Sequence, residues 1–346
     1  MAAATLSSRR VSLRLSLAFG AAAILLLSAI VAVSVGAVPI PLATVWGIAI
    51  DRIAPGLIEP DWTTSRAKIV MEIRFPRTLL AGIVGAGLGV VGAALQAVTR
   101  NPLSDPHLLG ISSGGAFGAI LALLHVGMIL GLLTVPIFAF IGAMAATLLV
   151  LAVARVASAT SADRLVLAGV AVSFVVMAAG NALILIGDPR ATHTVVFWML
   201  GGLGLAQWTH LIWPLIVLLS GGAWLWGRAE ALNAMSLGDE TAATLGINPG
   251  GFRMAVFVVC ALITGVMVAF SGVIGFVGLM MPHLVRLVFG GDNARVLPGS
   301  ALFGAVFLIW ADAAARVLLA PEDIPIGIVT GLCGGIFFIW MMARRT

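Results

Sequence analysis

Apolar residues dominate this chain in long runs, and short polar stretches separate one run from the next. A helix needs about 20 mostly apolar residues to cross the hydrocarbon layer of a membrane. The expected spans cover residues 15–36, 77–99, 107–125, 134–155, 164–187, 208–226, 252–271, 274–290, 298–319 and 325–342. The pattern therefore predicts an all-α polytopic membrane protein with about ten transmembrane helices, forming a single domain over residues 1–346.

The arginines at the ends of these runs indicate how the chain crosses the membrane. Lysine and arginine are enriched in cytoplasmic loops, and an even number of spans puts both termini on one side. The expected cytoplasmic group is Arg9, Arg10, Arg14, Arg100, Arg155, Arg164, Arg228, Arg253, Arg286, Arg295, Arg344 and Arg345. We therefore expect a multi-pass protein of the bacterial cytoplasmic (inner) membrane with both termini in the cytoplasm.

The longest polar stretch, residues 37–76, falls on the opposite side in this topology. Its five prolines interrupt any long helix. We expect it to form a periplasmic cap loop.

Composition narrows the class of protein further. The chain is 61% hydrophobic and 10% charged, whereas soluble domains carry about 25% charged residues. Its net charge of +5 comes from dispersed basic residues, which argues against a nucleic-acid partner. Cys260 and Cys333 lie in apolar runs without neighbours at metal-ligand spacing, so neither a metal nor a bound cofactor is expected.

Two kinds of glycine-rich motif bind nucleotides in proteins, the G-x-G-x-x-G fingerprint and the G-x-x-x-x-G-K-[ST] loop. Gly87, Gly89 and Gly92 match G-x-G-x-x-G, but this fingerprint needs a preceding strand, and here it lies within a span. Close helix packing is the better interpretation. The single lysine, Lys68, lies outside any phosphate-binding G-x-x-x-x-G-K-[ST] loop. ATP chemistry, if the protein uses it, therefore belongs to another chain.

The polar segment 228–251 contains a candidate coupling element. Ala234, Leu237, Ala242 and Leu245 recur at helical spacing and are expected to share one face of a short amphipathic helix. Such a helix could dock on a partner protein or lie on the lipid surface. The spacing alone favours neither.

A set of polar landmarks in order along nearly the whole chain resembles the FecCD family of permeases, which serve vitamin B12, ferric siderophore and heme importers. The landmarks are IRFPRT at 73–78, GAALQ at 92–96, RNPLSDPHLLGISSG at 100–114, LAGVA at 167–171, FWMLGG at 197–202, the 234–246 segment, GFVGL at 275–279 with Pro282 and His283, LPG at 297–299, AD at 311–312 and IPIG at 324–327. Chance similarity between apolar helices would not reproduce them.

The resemblance implies a type II ABC importer permease fold like that of the vitamin B12 permease, working as a homodimer embedded in lipid. Two separate ATPase subunits, which bind ATP and Mg, would dock on a cytoplasmic loop at 228–251. The residues implied in this contact are Ser236, Leu237, Gly238, Ala242, Leu245 and Gly246. Gly238 and Gly246 could instead simply terminate helices, so the contact is predicted for the segment more than for each residue. A chain of this kind is a transport subunit with no catalytic residues of its own.

The resemblance also implies a periplasmic substrate-binding protein, which would meet Arg74 and Arg316. For Arg74 the alternative is pairing with Glu72 or a lipid phosphate, and Asp312 is placed to hold Arg316 by a helical pair.

Gate and pathway positions follow from the same resemblance. The implied gate residues are Asn101, Leu103, Thr160 and Ser161, and the implied pathway residues are Met177, Asn181 and His193. Asn101 before Pro102 is equally typical of a simple turn. Asn181 could equally bond a neighbouring helix, and His193 is a candidate heme contact.

The cargo is left open by these residues. Iron chelates, either heme or a ferric siderophore, are the first expectation, and cobalamin is the alternative. A secondary transporter is the more distant alternative, but it would place ionisable residues at mid-membrane. Here Asp312 is the main exception to charges at span ends. An intramembrane enzyme is disfavoured because no Ser/His/Asp set, H-E-x-x-H motif or carboxylate pair occurs.

Overall fold

The fold is given by a computed structural model that describes residues 20–106, 110–156 and 162–343. Every regular element in these ranges is helical, as predicted. The helices are α1 Gly20–Ser34, α2 Leu42–Ile53, α3 Thr64–Lys68, α4 Phe75–Thr99, α5 Ile111–Leu121, α6 Thr134–Val156, α7 Ala162–Ile186, α8 Pro189–Met199, α9 Trp208–Trp226, α10 Ala229–Leu237, α11 Asp239–Thr244, α12 Pro249–Ser271, α13 Val277–Phe289, α14 Asn293–Ala315 and α15 Ile326–Ala343.

Each predicted span coincides with one apolar helix in the described part of the chain. Seven helical stretches there are long and apolar enough to cross a membrane: Thr64–Thr99, Gly131–Val156, Arg164–Ile186, Trp208–Trp226, Pro249–Ser271, Asn293–Ala315 and Ile326–Ala343. Three shorter apolar helices, Gly20–Ser34, Ile111–Val126 and Val277–Phe289, account for the other predicted spans. The expectation of about ten apolar helices is confirmed in position, although Ile111–Val126 and Val277–Phe289 are shorter than predicted.

Helix α4 lies at the centre of the molecule and is buried along most of its length. It packs against α9, α12, α13 and α14. A Cβ atom placed on Gly85 would lie 2.1 Å from the carbonyl oxygen of Gly304, and one on Gly89 would lie 2.2 Å from that of Ser300. These glycines let the backbones of α4 and α14 touch. Helix packing is thus confirmed as the role of the G-x-G-x-x-G run.

The second predicted span begins earlier than the apolar pattern indicates, at Thr64 instead of residue 77. A π-helical turn over Ile69–Arg74 joins α3 to α4 directly before Pro76. A proline in a regular α-helix clashes with the preceding turn, and here the turn before Pro76 is π-helical instead of regular α-helix. The helix therefore continues through a proline that the sequence suggested would end it.

Residues 37–76 are more regular than the predicted loop. The segment includes the helix α2, whose Val45 and Ile48 form a small apolar cluster with Val33, Ile40 and Val70. The indole of Trp62 fills the space beside Gly47, where a Cβ atom would lie 2.8 Å from the ring. This cluster packs α2 against the ends of α1 and α4.

The two ends of α4 define two ends of the molecule. With 25 residues at about 1.5 Å per residue, α4 separates them by about 37 Å. The α2 end holds the start of α4, α2 and the end of α14, whereas the α11 end holds the end of α4, α10, α11 and the start of α12.

Candidate functional site

The predicted coupling segment forms two helices, not one. Helices α10 and α11 meet at Gly238, whose φ of 130° and ψ of 158° are open to glycine and not to other residues. The expectation of a single amphipathic helix was wrong because this glycine breaks the helical path. Gly246, with a φ of 80°, ends α11 in the same way.

The break changes which side chains share a face. Leu237 and Leu245 are 74% and 66% exposed, whereas Ala234 and Ala242 are buried against the helical core. The expectation that all four residues share one face was therefore wrong. In this segment the two leucines point outward and the two alanines face the core. The Ser236 hydroxyl donates to the Leu232 carbonyl. Exposed leucines at the end of a helical bundle are suited to entering an apolar cleft on another protein.

One buried arginine joins this segment to the core. Arg253 Nη2 donates to both carboxylate oxygens of Asp239, at 2.7 and 2.9 Å, while its Nε donates to the Val98 carbonyl at 3.2 Å. Arg100 lies 3.7 Å from the same carboxylate. Sequence reasoning missed this arrangement because its members belong to three helices and have no shared local motif.

A second connection ties α10 to the start of α14. Asn233 Nδ2 donates to Asp292 Oδ1 at 2.9 Å, and Asn233 Oδ1 accepts from the Asn293 backbone and side-chain amides, each at 2.8 Å. The Asn233 amide, and then the Ala294 N–H, hold the pKa of the Asp292 carboxyl below its ordinary value. This contribution to stability is present above the ordinary pKa of the carboxyl and is lost as pH falls through the lowered one.

The loop that follows α4 contains the predicted gate residues Asn101 and Leu103. The Asn101 side chain accepts from the Leu103 N–H at 2.9 Å, a local turn that Asn commonly forms. The Thr99 and Ser104 hydroxyls are 2.7 Å apart and buried. The turn interpretation of Asn101 is confirmed, and its role in gating stays a prediction. Thr160 and Ser161, the other predicted gate residues, lie outside the described residues.

Arg74 and Arg316, the predicted docking arginines, are buried at the α2 end. Arg74 donates to the carbonyls of Val33, Ser34 and Val38. Arg316 donates to those of Ala32 and Val35, at 3.1 and 2.9 Å. Both guanidinium groups thus cap the carboxyl-terminal end of α1, which would otherwise carry unpaired carbonyls. The alternative that Arg74 pairs with Glu72 does not occur in this structure.

The expected pair of Asp312 and Arg316 is confirmed, and it belongs to a larger buried cluster. Arg316 Nε lies 3.2 Å from one carboxylate oxygen of Asp312, and Arg77 Nε lies 2.8 Å from the other. Arg77 also pairs with Asp323. Arg77 and Asp312 are 235 residues apart in sequence, so no local pattern could have paired them.

The predicted pathway residues lie on exposed surfaces of this single chain. Met177 and Asn181 are exposed on α7, and His193 is exposed on α8. The structure does not gather them around an enclosed cavity. Within the described ranges, no group of three or more His, Cys, Asp or Glu side chains is placed to hold a metal ion.

Comparison with known sequences finds relatives along nearly the whole chain. The model of the FecCD transport family matches residues 24–344. The chain is 37% identical over 339 residues to the hemin transport system permease protein HmuU of Yersinia pestis, covering 97% of each chain. It is 39% identical over 294 residues to the vitamin B12 import system permease protein BtuC of Salmonella paratyphi A, covering 84% of this chain and 88% of the relative.

Solved structures agree with the sequence comparison. An ABC transporter assigned to the metal-chelate type, captured in an inward-facing conformation, matches with a TM-score of 0.79 and 30% identity, over 95% of this chain and 99% of that one. PsaBC from Streptococcus pneumoniae shares the fold alone, with a TM-score of 0.53 and 19% identity. The predicted importer-permease fold is confirmed.

Proposed function

Because this chain belongs to the FecCD transport family, we propose that it is the permease subunit of an ATP-driven, binding-protein-dependent importer for iron chelates, either heme or a ferric siderophore. The observation that carries the proposal is the 37% identity to a hemin permease over 97% of both chains. The likeness to a metal-chelate type transporter supports the same cargo class. Two copies of the chain would form the pathway between them.

Cobalamin is the alternative cargo, and a specific observation favours it. Identity to the vitamin B12 permease is 39%, although over a smaller share of the chain. An uptake experiment distinguishes the two alternatives by which cargo is imported.

The exposed pair Leu237 and Leu245 supports an ATPase contact at the α11 end. A partner cleft that accepts both leucines would remove two large apolar side chains from water, and such buried anchors dominate interface energetics. We place this end in the cytoplasm and the α2 end in the periplasm. In that orientation both termini are cytoplasmic.

We also propose that a binding protein docks through Arg74 and Arg316. This docking requires the arginines to become accessible to the partner. Both guanidinium groups are committed to carbonyls of α1 in this structure. A carboxylate of a partner could reach them only after the end of α1 moves. Docking would then exchange neutral carbonyl acceptors for charged ones, which form stronger hydrogen bonds with arginine.

A secondary transporter fits the structure less well. Such proteins couple transport to ionisable groups at mid-membrane, whereas the buried acid Asp312 is paired with two arginines near the end of α14. Membership in a transport permease family also argues against an enzyme.

The deciding experiment is cargo uptake into proteoliposomes that contain this chain, its ATPase, internal ATP and an external binding protein. We expect ATP-dependent uptake of heme or a ferric siderophore. Uptake of cobalamin alone would establish the alternative cargo. Uptake that persists without the ATPase and stops when an ion gradient is collapsed would reject the importer proposal in favour of a secondary transporter.

Leu237→Asp combined with Leu245→Asp tests the ATPase contact directly. Two charges on an apolar contact should prevent co-purification of the ATPase and abolish uptake, because burying an unpaired carboxylate is unfavourable. Leu57→Asp, which changes a similarly exposed leucine at the α2 end, should leave co-purification unchanged. Normal co-purification of the double variant would contradict the contact.

A further inference from the structure

The side chain of Arg253 binds both the first residue of α11, Asp239, and the last turn of α4. Arg253 donates through Nη2 to the Asp239 carboxylate and through Nε to the Val98 carbonyl. Val98 is among the last four residues of α4, whose carbonyls lack partners within the helix. The guanidinium therefore supplies a partner to the end of α4 and a counter-charge to α11 at once.

Arg253 has little freedom to follow one helix without the other. It is 3% exposed and lies in α12, which packs against α4, α6 and α9. The donors of a guanidinium are fixed in one plane, so its Nε and Nη2 hold their two acceptors in a set relation. Displacement of Asp239 must either break its charge-assisted bonds, which are stronger than neutral ones, or carry the end of α4 with it.

The end of α4 continues directly into the loop at residues 100–104. Arg100 adopts a left-handed conformation with a φ of 53°, which is uncommon for a residue other than glycine. The Thr99 hydroxyl bonds both the Leu95 carbonyl and the Ser104 hydroxyl, each at 2.7 Å. The loop is thus built on the last turn of α4, and a shift of that turn is passed to the loop.

Asp239 also lies close in sequence to Leu237, one of the two exposed leucines of the predicted coupling segment. It follows Gly238, and Leu237 precedes that glycine. The backbone break at Gly238 separates α11 from α10, and the Asp239 carboxylate binds Arg253 of α12. A force on α11 therefore reaches the core through this carboxylate as well as through the buried Ala242.

We propose that Asp239 and Arg253 are positioning residues that transmit movement of the ATPase-docking segment to the end of α4 and the 100–104 loop. This inference rests on the proposed function, because it concerns how ATP-driven movement reaches the pathway. It predicts that the two residues determine how much cargo moves for each ATP hydrolysed.

Hydrogen exchange tests the contact without any transport. In the purified chain, Asp239→Asn and Arg253→Lys should speed amide exchange in residues 97–106 by about threefold or more, because local opening depends on the lost bonds. Glu240→Gln removes an equal charge from the neighbouring, exposed residue and should change nothing. Unchanged exchange in both Asp239→Asn and Arg253→Lys would overturn the inference.

The transmission itself is tested in proteoliposomes with the ATPase and binding protein. We expect Asp239→Asn and Arg253→Lys to lower the ratio of cargo imported to ATP hydrolysed by about tenfold. Asp239→Glu, which keeps the carboxylate, should retain most of the wild-type ratio. A purely structural role would lower transport and hydrolysis together and leave the ratio unchanged.

The outcomes separate the two proposals. If wild-type protein imports none of the three cargoes with ATP, the proposed function fails, and the exchange measurement still decides whether the contact exists. If wild-type protein imports cargo and the Asp239→Asn ratio equals that of wild type or of Glu240→Gln, the inference fails alone.

Discussion

At the residue scale, buried charges at the α2 end are neutralised in a cluster that joins a local helical pair to partners far away in sequence. Arg77, Asp312, Arg316 and Asp323 form one cluster at the α2 end, and Asp312 is fully buried between two arginines. A buried ion pair need not stabilise a fold compared with apolar residues, but removing one partner leaves an uncompensated charge. The cluster is therefore a site at which a small chemical change has a large effect.

Asp312→Asn should destabilise the protein by about 3–5 kcal/mol, because it leaves Arg77 and Arg316 buried without their shared counter-charge. The measurement is thermal unfolding in detergent. Glu322→Gln, a change of the same kind at an exposed position on the same end, should alter stability by no more than about 0.5 kcal/mol. Equal melting temperatures for the two variants would contradict the role assigned to the cluster.

At the element scale, close contact between helices depends on glycines, which have no side chain. Lipid supplies no hydrophobic force between helices, so close packing must hold them together. Gly85 and Gly89 of α4 face Gly304 and Ser300 of α14, and Gly114 of α5 faces Gly142 of α6. A side chain at any of these glycines would separate backbones that now touch.

Gly89→Ala should destabilise the fold by about 1–3 kcal/mol or more, since the added methyl group would overlap the Ser300 carbonyl. Gly335→Ala in α15 is the matched control, because nothing lies within 4 Å of its added methyl group. That change should be neutral or favourable, because alanine suits a helix better than glycine by about 1 kcal/mol. Comparison of unfolding midpoints of both variants in detergent tests this difference.

The sequence predicted the elements far better than their contacts. Apolar runs of membrane length are a local signal, and each predicted span coincides with a helix of the described chain. A glycine within a helical pattern can either continue the helix or end it, so Gly238 and Gly246 left both possibilities open; the structure shows that they end α10 and α11. Arg253 with Asp239, and Arg77 with Asp312, were missed because contacts across helices follow from packing and not from spacing.

At the scale of the whole molecule, one chain leaves a large apolar surface on α7. Leu167, Phe174, Val175 and Met177 are all exposed there, and the predicted pathway residue Asn181 lies on the same helix. Lipid can cover such residues, but Asn181 is better satisfied beside protein or water. This supports the proposal that α7 borders a second copy of the chain.

A cysteine in place of Asn181 should form a disulfide between two copies in native membranes, because α7 is expected beside its counterpart in the homodimer. Cys260 and Cys333 would first be replaced by alanine. Leu219→Cys on the exposed face of α9 is the control and should remain monomeric on a non-reducing gel. Monomeric Asn181→Cys under the same oxidation would argue against α7 at the interface.

The capping of α1 by Arg316 has a consequence for how the protein is made. Arg316 is joined to Val35 and Ala32 across 281 and 284 residues of sequence, so α1 enters the membrane long before this partner is synthesised. Contacts of such separation are slow to form. During translation, the end of α1 can be held by Arg74 early, but it gains its second cap only when α14 emerges. Formation of this second cap on α1 is therefore among the last events of biogenesis.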